Sequence, residues 1–203
     1  IGLIALALIS IIIIGMKACN DFINQVLFSH LNGKLEGQSP YASAFQSWNS
    51  FWMNVFVKDD VLNPKPVFDH SNLFAAAKMI TDISLLGILL YTIYRLKSSP
   101  HFSEITVVLF SLFAFALSPA SASYHFLLLL LSLAILLRLF QKDERMIAWI
   151  AIFIVSVGFS GFVMDQINQH IQFLPLGFYR LWLINGFFVF SCIALTKKLN
   201  HLS

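Results

Sequence analysis

The chain has 203 residues, of which 58% are hydrophobic and only 11% charged, and its formal net charge is +3. Soluble globular domains run at about 45–50% apolar and about 25% charged residues, so the composition excludes that class and predicts an integral membrane protein with several spans. Thirteen Lys and Arg against ten Asp and Glu, with no basic stripe, exclude a nucleic-acid partner.

The first apolar segment, 1–16, opens the chain at Ile1 with no initiator Met and no leader-like pattern before it. It reads as the truncated start of a C-terminal piece of a longer protein. Further apolar segments follow at 73–96, 105–117, 124–137, 146–164 and 178–196. The third and fourth form a hairpin, so five or six spans are expected in a single membrane domain over 1–203. Fold class is therefore all-α, a polytopic transmembrane bundle. Cys19 and Cys192 fall near opposite faces in this arrangement, so no disulfide joins them.

Orientation follows from where the cations lie. Arg95 and Lys97, then Arg138, Lys142 and Arg145, then Lys197 and Lys198 occupy three alternate connections, which are predicted to be cytoplasmic. The loop 17–72, the turn 118–123 and the loop 165–179 then share the outer face. Within 17–72, "AFQSWNSFWMNVF" places Phe45, Trp48, Trp52, Val55 and Phe56 on one helical face, with Gln46, Asn49, Ser50 and Asn54 turned elsewhere. Tryptophan favours the membrane–water boundary, so a helix lying along the outer interface is expected at about 42–57. Asn63-Pro64 and Lys65-Pro66 cannot continue it.

Candidate chemistry gathers on that outer face. Segment 105–117 is about 13 residues, or ~20 Å at 1.5 Å per residue, short for a hydrocarbon core of ~30 Å. The Ser118-Pro119 turn is therefore expected to be recessed, beside a polar pocket with Tyr124 and His125 on its floor or wall, because irregular backbone at that depth needs a cavity or protein around it. His125 either hydrogen-bonds a neighbouring helix or contacts a phosphate or sugar, where an imidazole with a pKa near ~6.5 is useful. Lys78 and Asp82, four residues apart, either pair structurally or present a cation to a lipid phosphate. Asp165, Gln166, Gln169 and His170 form a solvated loop or hold sugar hydroxyls. Gln46, Trp48 and Asn49 belong to an interfacial anchor or line a carbohydrate site. No His/Cys/Asp spacing suits a metal, no glycine-rich phosphate loop is present, and no cofactor is expected.

Two stretches carry a family resemblance. "FQSWNSFWMNVFV" (45–57) resembles the Asn-Gln-Ser motif region of glycosyltransferase family 87, and "LSPASASYHFLLLLL" (117–131) resembles its Ser-Pro-x-Ser-Trp-x-His-His motif. Gln46, Ser47 and Asn49 match the first; Ser118, Pro119, Ser121 and His125 match the second. Phe45 stands for an Asn, Asn54 for an Arg and Phe126 for a second His. The resemblance implies the C-terminal half of a GT-C-fold membrane enzyme in a bacterial plasma membrane, its active face extracytoplasmic. Such an enzyme moves a mannose-like sugar from a polyprenyl-phosphate donor to a lipid or glycan acceptor with inversion. It implies donor contacts from His125 and the aromatic helix, membrane lipids as partners, and an acidic base in an earlier outer loop. The rival readings are a non-catalytic transporter, flippase or scaffold for lipid-linked glycans, and a polymerase or ligase of surface polysaccharide.

Overall fold

The computed structural model describes residues 11, 15–27, 39–42, 46–118, 129–159, 161–163, 166 and 174–200. The described chain is all-α. A short helix, α1 (Met16–Asp21), runs into a π-helical turn over Phe22–Leu27. It follows Gly15, whose φ of 91° lies in the region that glycine alone enters without strain. Next come α2 (Trp48–Phe56), α3 (Ser71–Leu96), α4 (Phe102–Leu117), α5 (Leu129–Leu139), α6 (Glu144–Gly158), the one-turn α7 (Leu174–Gly177) and α8 (Tyr179–Asn200).

Local sequence explains most of these limits. Ser47 caps α2 by accepting from the Ser50 amide at 3.2 Å, and Asp143 caps α6 by accepting from Met146 at 3.1 Å, each satisfying an otherwise orphaned helix donor. Helix α4 starts at Phe102, a turn earlier than its apolar run, and its 16 residues reach ~24 Å. It stops at Ser118, whose φ of −53° and ψ of 124° suit a residue preceding proline. Helix α3 continues for 26 residues and α8 for 22. These two are long and apolar enough to cross a membrane.

Sequential helices α3 to α6 pack side by side, and α8 closes the bundle against α3, α4 and α6. The core between them is mostly apolar, with Leu89, Val108, Leu109, Leu112, Leu136, Ile150 and Phe188 fully buried. Phe153 and Phe187 stack at 3.9 Å between α6 and α8. Small side chains, Thr92, Ser132, Ser191 and Cys192, are buried where helices approach, as expected when backbones pack closely. Both Cys19 and Cys192 are free thiols.

Much of the lateral surface is apolar as well. On α3 alone, Met79, Ile80, Ile83, Leu90, Tyr91 and Tyr94 are all more than half exposed. A surface helix of a water-soluble protein turns a polar face outward, and this one does not.

Antiparallel packing gives the bundle two ends. Arg138 on α5 lies 3.6 Å from Glu104 at the start of α4, while Phe113, farther along α4, meets Phe188 midway along α8. Lys198 on α8 donates to the Leu139 carbonyl and sits 4.4 Å over the Phe140 ring. Arg95, Lys97, Glu104, Arg138, Lys142, Arg145, Lys197 and Lys198 therefore share one end. Helix α2, Ser118 and the starts of α3 and α8 share the other.

Candidate functional site

The end opposite the cationic cluster is built around α2. Its aromatic side chains make a continuous contact set with α8. Trp48 meets Trp182 edge-on at 5.3 Å and stacks on Trp52 at 5.8 Å. Phe51 touches Phe178 and Trp182 at 5.4 and 5.3 Å. Phe51, Val55, Phe178 and Leu181 form a small buried core of their own. The sequence pattern placed Phe45, Trp48, Trp52, Val55 and Phe56 on one face of a helix lying along the outer interface; Phe45 lies outside the described residues, and Phe51 is the most buried aromatic of the helix.

The polar residues of this stretch also face inward, unlike the expectation that they turn elsewhere. Gln46, Ser47, Asn49 and Ser50 are buried. The physical reason is capping. Gln46 Oε1 accepts from the Arg180 and Leu181 amides at 3.0 and 3.3 Å, and its Nε2 donates to the Gly177 carbonyl at 2.9 Å. One side-chain amide thus satisfies the first-turn donors of α8 and the last carbonyl of α7. Trp48 Nε1 donates to Asn185 Oδ1 at 3.1 Å, and Asn185 Nδ2 donates to the Leu181 carbonyl at 2.8 Å. Asn49 Nδ2 points at Met53 Sδ, 3.7 Å away.

Helix α2 is tied to α3 as well, through Trp52 Nε1 donating to Thr81 Oγ1 at 3.1 Å. Its C-terminus is closed by Asn63, whose Nδ2 donates to the Val57 and Asn54 carbonyls at 2.7 and 3.2 Å. The returning strand of chain adds Phe68 N to Val55 O at 2.8 Å and His70 N to Phe56 O at 3.1 Å. Phe68 stacks on Phe56 at 6.1 Å. Asp59 Oδ1 accepts from Leu62 and Val61 at 2.8 and 2.9 Å, and these amide bonds hold its carboxyl below its usual pKa of 3.8.

Lys78 and Asp82 meet at 2.6 Å within one turn of Thr81, each side chain about one third exposed. The pair is closed on itself and still open to an approaching anion. Ser118 is half-buried at the end of α4, its amide bonded to Phe115 O at 3.2 Å. His125, Tyr124, Ser121 and Pro119 lie outside the described residues, as do Asp165, Gln169 and His170; Gln166 is exposed. The structure thus places α2, the Lys78–Asp82 pair and Ser118, the C-cap of α4, at the same end of the bundle. No group of three His, Cys, Asp or Glu converges among the described residues.

Sequence reasoning missed Asn185, Thr81 and Trp182 as partners of α2. Asn185 carried a usable signal: a buried amide in the middle of an apolar run needs a partner. No protein family, curated protein or solved structure matches the chain.

Proposed function

We propose that the chain is a multi-pass membrane protein whose Lys- and Arg-rich end faces the cytoplasm. We propose further that its opposite end forms the donor side of a glycosyltransferase resembling family 87. The observation that carries the reading is the meeting of three features at one end. These are the tryptophan-bearing α2, the Lys78–Asp82 pair, about one third exposed, and Ser118 at the end of α4. A lipid-linked sugar has a phosphate at headgroup depth and an isoprenoid chain in the leaflet. An aromatic wall beside a cation suits both parts.

In this reading the acceptor oxygen attacks the anomeric carbon and the bond from that carbon to the polyprenyl phosphate breaks. The phosphate leaves with the electron pair, and the acceptor proton passes to the carboxylate base that the resemblance puts in an earlier outer loop. His125 donates a hydrogen bond to the departing phosphate, and Lys78, held by Asp82, supplies positive charge nearby. Helix α2 holds the carrier lipid; the buried Gln46 and Ser47 just before it shape the wall rather than touch the sugar.

The test is transfer from a radiolabelled polyprenyl-phosphate sugar by membranes carrying the wild type or His125→Ala. The expected result is a loss of at least tenfold, within the ~10²–10⁴ range of general acid–base groups, with the variant still membrane-bound. Unchanged turnover removes His125 from the site. The closed Lys78–Asp82 contact favours one alternative, a carrier of lipid-linked glycans in which the pair opens along the path. Such a carrier moves the labelled lipid across vesicles without forming a new glycosidic bond.

A further inference from the structure

The cationic end of the bundle contains a cleft that the glycosyl-transfer reading does not use. It lies between the start of α6 and the end of α8 and measures about 680 Å³. Lys142, Arg145, Lys197 and Lys198 rim it, Asp143 is the one acidic residue of its described lining, and Glu144 stands exposed beside it in the first turn of α6. Asp143 is committed to capping α6, and Lys198 to Leu139 and Phe140. Among the described residues no carboxylate lies within ion-pairing distance of Lys142, Arg145 or Lys197, all of them exposed. Four cations so placed, against the spent Asp143 and the exposed Glu144, leave a net positive field.

The cleft does not end at the charges. Trp149 and Phe190, 5.7 Å apart, form its inner wall and also begin a second, almost wholly apolar hollow of about 340 Å³ that continues between α6 and α8 as far as Trp182 and Tyr179. Trp149, Ile152, Phe153 and Ser156 recur at helical spacing on one side; Trp182, Gly186 and Phe190 do so on the other. Gly186 deepens the floor, and a side chain added there would meet no atom within 4 Å. From Lys198 to Trp182 the groove runs ~24 Å at 1.5 Å per residue, longer than one leaflet of a ~30 Å hydrocarbon core.

We propose that this groove is a binding site for an anionic membrane phospholipid. The phosphate headgroup sits among Lys142, Arg145, Lys197 and Lys198, and one acyl chain runs along the wall made by Trp149 and Phe190 and over Gly186. Charge complementarity selects the headgroup, and the unbroken apolar continuation of a cationic cleft selects a lipid over a free anion. Basic pockets between helices at a cytoplasmic surface recognise anionic headgroups in this way. The site rests on the membrane reading above and is independent of the glycosyl-transfer reading.

The experiment is native mass spectrometry of the delipidated chain in neutral detergent, titrated with phosphatidylglycerol or phosphatidylcholine of identical chains. Phosphatidylglycerol should bind at least tenfold more tightly. Each basic residue near an anionic surface contributes roughly fivefold, so the Lys142→Ala, Arg145→Ala, Lys197→Ala triple variant should lose on the order of 100-fold and its headgroup preference. These side chains are exposed, and circular dichroism checks that the helices persist; the single variants Lys197→Gln and Lys197→Arg give a roughly fivefold loss and near-retention respectively. Gly186→Leu should weaken both lipids by filling the groove. Equal binding of the two lipids by the wild type overturns the proposal, as does a preference that survives the triple variant. Competition by millimolar inorganic phosphate reassigns the cleft to a free anion and also overturns it. Carbonate washing of membranes separates the two readings: a chain that washes off defeats the membrane reading, while one that stays and binds both lipids alike defeats only the lipid site.

Discussion

Gln46 is the most consequential single residue in the described chain. It joins α2 to the α7–α8 junction across 131 to 135 residues of sequence, and it does so at a buried position where water cannot substitute. Leaving buried donors without acceptors costs about 1–3 kcal/mol. Gln46→Ala should therefore lower the melting temperature of the detergent-solubilised protein by several degrees, whereas a sugar-contacting role alone would leave stability untouched. Asp59 gives a pH-dependent counterpart. Its carboxylate is preferred in the folded state because it accepts the Leu62 and Val61 amides. That stabilisation is present above the unfolded-state value near ~3.9 and disappears as pH falls through the lower folded-state value. Protection of the Val61 and Leu62 amides, taken relative to their intrinsic exchange at each pH, should fall below about pH 4, and Asp59→Asn, which keeps the acceptor oxygen, should flatten that dependence. Gln46 was legible in the sequence as a polar residue beside an aromatic helix. Which groups it serves was not, because a side-chain amide suits a sugar hydroxyl and a helix end equally well.

At the scale of elements, α2 is a docked helix rather than a free amphipathic one. Its nine residues are too few to be stable alone in water. Its persistence rests on the Trp48–Asn185 and Trp52–Thr81 bonds, the edge-to-face aromatic contacts and the Asn63 cap. A double-mutant cycle with Trp48→Phe and Asn185→Leu measures the first of these. Contacts of this kind between helices in membranes are worth ~0.6–2 kcal/mol, so the double variant should be more stable than the sum of the single losses predicts. Strict additivity would mean that the two groups do not sense each other. The apolar period had located this helix, but the signal is ambiguous about depth. An aromatic stripe packs equally well on lipid or on Phe178, Leu181 and Trp182, and only the position of α8 resolves it. Helix α4 teaches a related lesson. Its apolar run marked a short span, yet the helix continues back through Glu104, whose carboxylate finds His101 and Arg138 at 3.8 and 3.6 Å.

Across the whole molecule, most of the described cations gather at one end. Arg95, Lys97, Arg138, Lys142, Arg145, Lys197 and Lys198 collect at one end, as the alternation of loops anticipated, and α2 with its returning segment occupies the other. In the orientation proposed here the two ends lie on opposite sides of the membrane. Replace Cys19 and Cys192 with Ser, then introduce Lys58→Cys or Lys142→Cys. An impermeant maleimide applied to intact cells should label the first variant and leave the second unlabelled until the cells are opened. Labelling of both from outside would reject a membrane-spanning arrangement between them.

The amino-acid sequence by itself determined the all-α class, the apolar segments behind the helices, the end of α4 before Pro119 and the clustering of cations in alternate connections; α2 ends earlier than its prolines, at Phe56. Those are local and additive properties: hydropathy, period and charge are summed along the chain and need no partner. Tertiary structure alone decided that Gln46, Ser47 and Asn49 are buried, that Asn185 serves Trp48, and that Lys142 and Arg145 come to face Lys197 and Lys198 across one cleft. Each of these depends on which helices become neighbours. That choice is made by packing between residues far apart in the sequence, where a polar side chain takes whichever partner the fold brings within about 3 Å.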